Sequence, residues 1–300
     1  MNPMTQPRTS MSHTFARSVA LLLGILLLAF LSAAATVRGQ TPAAPAPSPE
    51  RASDGVSLAP ARFELEMAPG SETTVVVNLD YHTARKEARA YRLVASLNDW
   101  EITREGDLKF HRAGTRPNSA APWMVYSPSE VAVEPNQVHS IRVTVTVPKD
   151  AAPGDHLAAL VVEQRPDAIK LDRAARQMVM RFRMAAIFYI TVPRATRRGA
   201  LTDLRADAGE AGLTVTPTLA NEGNSVVRPV SSVRVLDAAG RTVAELPENE
   251  TLPLLGGATL SQPLKLDAKL APGLYTVKYR VDFQDGSRPT EGVTELAIKN

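Results

Sequence analysis

Cysteine is absent from all 300 residues. That one absence excludes disulfides, thiol chemistry and a lipid-modified cysteine anchor. Aromatic residues make up only 5% of the chain and two of them are tryptophans, too few for an exposed stacking platform for carbohydrate. Trp123 is instead expected at the mouth of a first sandwich and Trp100 as the cap of a strand end. The five histidines are His13, His82, His111, His139 and His156, and none stands at metal-ligand spacing from another. His139 reads as lying on the polar face of an alternating strand. There is no nucleophile elbow, no HExxH, no phosphate-binding loop and no EF-hand run. No catalytic residue, no metal site and no cofactor is therefore expected, and the chain does not read as an enzyme.

Acidic residues are missing from residues 1–40, which carry Arg8, Arg17 and Arg38. These three arginines account for the whole formal charge of +3, and residues 41–300 hold 31 basic and 31 acidic side chains. A balance of zero does not support general binding to nucleic acid or to an anionic membrane. The distribution is uneven, however. Between Arg165 and Arg205 ten bases face three acids, a local net of +7.

The start of the chain reads as an export leader. Arg8 and Arg17 precede an apolar run from Val19 to Leu31, and Ser32-Ala33-Ala34-Ala35 follows. A basic region, about a dozen apolar residues and a small-residue exit form a secretory signal. The run is short for a bilayer span of roughly 20 residues, so an uncleaved anchor is the lesser alternative. We expect a signal peptide over 1–35 and a solvated Pro/Ala-rich linker over 36–55. A periplasmic location follows, with secretion or the cell surface as the alternative. Membrane contact is expected only through the leader before cleavage.

What remains is dominated by strict alternation. Ile141, Val143, Val145 and Val147 alternate with Arg142, Thr144 and Thr146. Period 2 with β-branched residues means half-buried antiparallel strands, because successive side chains point to opposite faces. Over 56–193 the pattern predicts strands at Val56–Glu66, Thr73–Asp80, Ala88–Ser96, Leu108–His111, Met124–Val133, Val138–Val147, Leu157–Val162 and Gln177–Val192. Over 194–300 it predicts Leu201–Ala208, Leu213–Ala220, Val226–Leu236, Thr242–Leu246, Ala258–Leu266, Leu274–Phe283 and Val293–Ile298. Pro-Gly, Asp-Gly and Gly-Gly pairs punctuate both runs. The fold class is all-β: two tandem immunoglobulin-like sandwiches, one over 56–193 and one over 194–300. Residues 165–177 read as a long basic loop, and helix should be minor.

The strand Gln177–Val192 is the candidate functional element. Met178, Met180, Phe182 and Met184 alternate with Val179, Arg181, Arg183 and Ala185, giving a soft apolar row with cations beside it. Either the row fills the core of its own sandwich, or part of the strand is an exposed edge that pairs with a partner strand.

The chain resembles the periplasmic pilus-assembly chaperones, which have two immunoglobulin-like domains. The resemblance covers about Val56–Val192. It rests on Ser57-Leu58 with Arg62 close behind, the block from Pro128 to Val147, the Pro-Gly-led strand after it, the basic loop, and Ile187-Phe188-Tyr189 before Pro193. It implies a client, an exported and pilin-like subunit, held by strand pairing. It also implies that Arg62 anchors the client's terminal carboxylate in a basic interdomain cleft. Ala186 stands where the family has its second anchor, a lysine, so Arg181 or Arg183 is the substitute. The function expected is a non-catalytic chaperone-like protein, with a structural or surface-assembly scaffold of the cell envelope as the alternative. The sandwich modules that bind surface proteins in Gram-positive bacteria are a second resemblance, without a chaperone role.

Overall fold

Proline interrupts several of the alternating runs, and at Pro60 and Pro128 the interruption moves the chain to the opposite sheet. The computed structural model describes residues 55–165, 181–209 and 212–299. The signal peptide, the linker and most of the basic loop lie outside the described residues, as do Met178 and Met180.

The described residues of the first sandwich form ten strands. They are β1 Gly55–Ala59, β2 Arg62–Glu66, β3 Glu72–His82, β4 Tyr91–Ile102, β5 Leu108–Arg112, β6 Met124–Ser127, β7 Glu130–Val133, β8 Val138–Thr146, β9 Gly154–Gln164 and β10 Arg183–Val192. One sheet has the order β1-β3-β8-β6 and the other β2-β10-β9-β4-β5, with β7 also on β4. The expected single strand Val56–Glu66 is thus two strands in opposite sheets, broken at Pro60, and Met124–Val133 breaks in the same way at Pro128. Proline has no N–H to give to a ladder, so each break falls where the old pairing must end.

Between these sheets lies the first core, which includes Val77, Leu79, Leu93, Ile141, Val143, Leu160 and Phe188. Strand β8 shows why: Ile141, Val143 and Val145 are buried while Arg142 and Thr146 are exposed. His139 shares the parity of those valines. It therefore belongs to the core-facing row, at the end of the sandwich, and not to the polar face; its ring meets the Glu134 amide at 3.5 Å.

The described residues of the second sandwich form eight strands. They are β11 Gly199–Gly209, β12 Gly212–Asn221, β13 Val230–Leu236, β14 Thr242–Glu250, β15 Thr259–Leu260, β16 Leu264–Leu266, β17 Gly273–Asp282 and β18 Thr290–Ile298. Its sheets run β11-β12-β15, with β16 also on β12, and β14-β13-β17-β18. The expected strand Ala258–Leu266 is split at Ser261–Pro263, and Val226–Leu236 begins only after Pro229. Leu213, Val215, Val233, Val277, Tyr279 and Phe283 fill the second core. The fold is all-β, two immunoglobulin-like sandwiches in tandem. The helical content of the described residues is one 3-10 turn, Ala121–Trp123.

A third apolar cluster lies on the outer face of the β10-β9-β4 sheet. Trp100, Leu157, Ala159, Val161 and Tyr189 meet Leu255 of the second sandwich there. Trp100 is 2% exposed and packs edge-on to Tyr189, with ring centroids 5.2 Å apart. It is therefore the centre of a junction and not the cap of a strand end. The run Leu157–Val162 is buried on both faces because each face has its own core.

Polar groups complete the junction. The Asp155 carboxylate, 7% exposed, accepts from Thr191 Oγ1 at 2.7 Å, Ser225 Oγ at 3.0 Å and the Val226 amide at 2.6 Å. The Asp155 amide donates to the Asn224 carbonyl at 2.8 Å. Asn224 in turn donates its side-chain amide to the Pro153 carbonyl at 2.9 Å and accepts from the Thr196 amide at 2.6 Å.

Candidate functional site

Strand β10 is paired along its whole length with β9, from Arg183↔Glu163 to Val192↔Gly154. On its other side it pairs with β2 in parallel, from Ile187↔Arg62 to Thr191↔Glu66. β2 begins where Pro60-Ala61 has turned the chain into this sheet, so it covers only the second half of β10. The first half, Arg183–Ala186, has no neighbour on that side among the described residues.

The direction of the backbone groups can be read from the ladder. The Ile187 amide donates to the Ala61 carbonyl at 2.9 Å, and the Thr191 carbonyl accepts from the Met67 amide at 3.0 Å. Odd-numbered residues of β10 therefore point their N–H and C=O away from β9. The N–H and C=O of Arg183 and Ala185 accordingly face the open side, where the described residues offer them no partner. Phe182 still belongs to the β9 ladder, since its carbonyl accepts from the Gln164 amide at 3.3 Å.

Side chains divide by parity as well. Met184 and Phe182 pack against the first core, and Phe182 meets the Tyr91 ring edge-on at 5.4 Å. These two members of the expected apolar row thus serve their own sandwich. Ala186, where the resemblance would place a lysine, is fully buried and its parity faces the same core. Ala185 and Ile187 lie on the opposite, outer face beside Tyr189 and Phe110.

The expected guanidinium pair is not formed. Arg62 is level with Ile187, whereas Arg183 lies four residues away along β10, roughly 13 Å at the usual rise of a strand. Arg183 holds Glu163 of β9 at 2.7 Å and places its guanidinium 5.1 Å from the centroid of the Phe110 ring. Arg181 is exposed, just before the strand, and is not beside Arg62.

A different arginine stands near Arg62. Arg228, just before β13 of the second sandwich, donates to Glu64 Oε1, and Arg62 Nε reaches the same oxygen at 3.2 Å. The Arg228 guanidinium lies 5.5 Å from the centroid of the Tyr189 ring, within cation–π range. Burial pushes the Tyr189 hydroxyl above its ordinary range, and the positive charge of Arg228 opposes the shift without reversing it. Two cations thus share one carboxylate across the junction. The Arg62 side chain is 58% exposed and that of Arg228 27%, so Arg62 keeps donors turned to solvent. Only the three-dimensional fold joins Arg228 to this site, because 164 residues separate it from Glu64.

No family model matches the chain, and no curated protein matches it in sequence. Solved structures do match. One, a chaperone–tip adhesin complex of CFA/I fimbriae biogenesis, has a TM-score of 0.44 and 9% identity over 80% of this chain and 98% of its own. The chaperone–tip subunit pre-assembly complex of the archaic Csu pili of Acinetobacter baumannii has a TM-score of 0.41 and 10% identity, over 79% and 97% of the two chains. The class 5 fimbriae chaperone CfaA has a TM-score of 0.39 and 12% identity, over 82% and 100%. At these values no residue of this chain is matched to one of theirs.

Proposed function

We propose that this protein is a non-catalytic, chaperone-like binder of exported envelope proteins, which takes an extended client segment as an added strand beside Arg183–Ala186. The observation that carries the reading is the half-covered edge of β10. Two residues there present four outward backbone groups in a row with no strand opposite them among the described residues. An incoming strand would pair with those groups, and its alternate side chains would lie over Ala185 and Ile187. Arg62, with Arg228 behind it, stands at the end of this edge and supplies donors for a client carboxylate or carbonyl. Arg181 and Arg183 flank the edge and discourage indiscriminate strand pairing. The apparent export leader puts such clients in the periplasm, and a pilin-like subunit is the form the sequence resemblance suggests.

The test uses Ala185→Pro. The Ala185 N–H faces the open side, so proline removes a donor that the fold itself does not use. Envelope proteins that co-purify with the chain should be lost with this variant while its thermal unfolding stays within a few degrees of the parent. Recovery of the same proteins in the same amount would overturn strand addition. It would leave the scaffold reading, which the bonded junction around Asp155 favours because it makes the two sandwiches one stiff spacer.

A further inference from the structure

The end of the first sandwich remote from the junction, where β3 stops and β4 starts, holds a cleft of about 240 Å³. It lies between the loop at 83–90 and the end of β9, and no residue of β2 or β10 lines it. Its volume is below the roughly 300 Å³ at which sites for drug-sized ligands begin. It suits a small molecule or a single headgroup.

Arg85, Arg89, Arg92 and Arg165 line this cleft together with one carboxylate, Glu87. Glu130 stands outside the lining and takes one nitrogen from each of two arginines. Arg92 Nη2 donates to its Oε1 at 2.8 Å, and Arg165 Nη1 to its Oε2 at 2.7 Å. Arg165 first, and Arg92 after it, hold the Glu130 carboxyl below its ordinary range, so it stays ionised. Four guanidiniums against two carboxylates leave a local net of +2 among the described residues. Arg92 and Arg165 keep their remaining donors, and their side chains are 59% and 50% exposed. Arg89 is exposed and pairs with no carboxylate among the described residues.

A neutral donor sits beneath these cations. Tyr81 lines the cleft and is only 5% exposed. Its hydroxyl has no hydrogen-bond partner among the described residues. The unbonded side-chain atoms sealed from water there are Trp100 Nε1, Arg116 Nε and Tyr279 Oη, and the Tyr81 hydroxyl is not one of them. A buried ring whose unbonded hydroxyl still meets water turns that hydroxyl to the cleft it lines. The donors are also held in advance. The Asn136 side chain accepts from the Thr83 amide and donates to the Thr83 carbonyl, both at 3.1 Å, which fixes the start of the loop that carries Arg85 and Arg89. The Arg165 amide donates to the Arg92 carbonyl at 2.8 Å, and the Tyr81 ring packs edge-on to Tyr91 with centroids 4.7 Å apart.

We infer that this cleft binds a phosphomonoester dianion, its oxygens accepting from the guanidinium N–H groups of Arg89, Arg92 and Arg165 and from the Tyr81 hydroxyl. A dianion matches the net charge of +2, and the planar fork of a guanidinium suits phosphate oxygens. The site is independent of strand addition on β10.

Calorimetric titration of the chain with glycerol 3-phosphate should saturate at one site per chain. Arg89→Gln, at an exposed position with no ion pair to lose, should weaken this binding by roughly tenfold or more, the worth of a charged hydrogen bond. Tyr81→Phe should weaken it by about fivefold, and both variants should unfold at the temperature of the parent. Arg142→Gln removes an exposed arginine from β8 of the same sandwich and should leave binding unchanged. Dimethyl phosphate, a monoanion, should bind more weakly than glycerol 3-phosphate. Vesicles of phosphatidic acid separate the two sources of the ester. Cosedimentation that is lost with Arg89→Gln would assign the site to a lipid headgroup, and binding of glycerol 3-phosphate alone would assign it to a soluble ester. Saturable binding of neither probe would overturn the inference. So would equal losses with Arg142→Gln and Arg89→Gln, which mark a general field, or unchanged affinity with Tyr81→Phe.

Discussion

Glu64 is the residue on which the charged side of β10 turns. It sits on the outer face of β2 and neutralises only one of the two guanidiniums that reach it. Arg62 is mostly in water, so its ion pair adds little to folding, about 0–1 kcal/mol. Arg62→Ala should thus leave thermal stability almost unchanged. Client capture, measured by titration with a purified client, should weaken by about 1.5–3 kcal/mol, the worth of a charged hydrogen bond. Asp155 behaves in the opposite way. A buried carboxylate with three donors leaves all three unpaired when removed, so Asp155→Ala should destabilise the chain by about 3–5 kcal/mol in urea unfolding. Two of the six tyrosines, Tyr189 and Tyr279, have hydroxyls pushed above their ordinary range by burial. In the unfolded chain these hydroxyls ionise near pH 10. Their contribution to stability is therefore complete below pH 10 and is lost as pH rises through their folded values. A spectrophotometric titration should show two tyrosinates, those of Tyr189 and Tyr279, forming only above pH 10 or with unfolding.

The strands show how far the pattern of residues can be read. Alternation in Ile141–Val147 announced β8 and its buried face, because period 2 has one structural meaning, but His139 of the same strand was put on the wrong face. The same alternation ran through Pro60 and Pro128, and there it misled. Apolar parity continues across a sheet switch, since both sheets face one core. Only the missing proline N–H marks the change of partner. The outer cover of the apolar run in β10, Leu255, was not legible, being 66 residues further along the chain than Tyr189. Arg62 was legible only as a candidate, through the resemblance. Its neighbour Arg228 was not, because no spacing or composition links residues in different sandwiches. Arg183 looked available in the sequence, but the register places it opposite Glu163. At this scale Ala185→Pro and Ala186→Pro should differ sharply. Ala186 pairs with Leu160 in the β9 ladder and is fully buried. Proline there removes a ladder bond from the core side, so Ala186→Pro should unfold the first sandwich by about 3 kcal/mol or more. The change at Ala185 should be read only in binding.

The two sandwiches are joined by more than their connector. The third apolar cluster, the Asp155 network and close backbone packing act at one place. Gly154 has a φ of +118°, and a Cβ there would lie 2.7 Å from the Asn224 carbonyl oxygen. At Gly223 a Cβ would lie 2.3 Å from the Thr196 carbonyl oxygen. Gly154→Ala should force the junction apart, costing about 1–3 kcal/mol of stability and broadening the small-angle scattering profile. A fixed junction matters for function because it sets Arg228 beside Arg62 and Glu64.

Strand addition at the uncovered half of β10 is tested most directly by amide hydrogen exchange, residue by residue, with and without a purified client. The Arg183 and Ala185 amides should exchange rapidly in the free chain while those of Met184 and Ala186 are slow, and client should protect the first pair by at least about tenfold. Slow exchange at all four positions in the free chain, or no protection of Arg183 and Ala185 by a bound client, would contradict it.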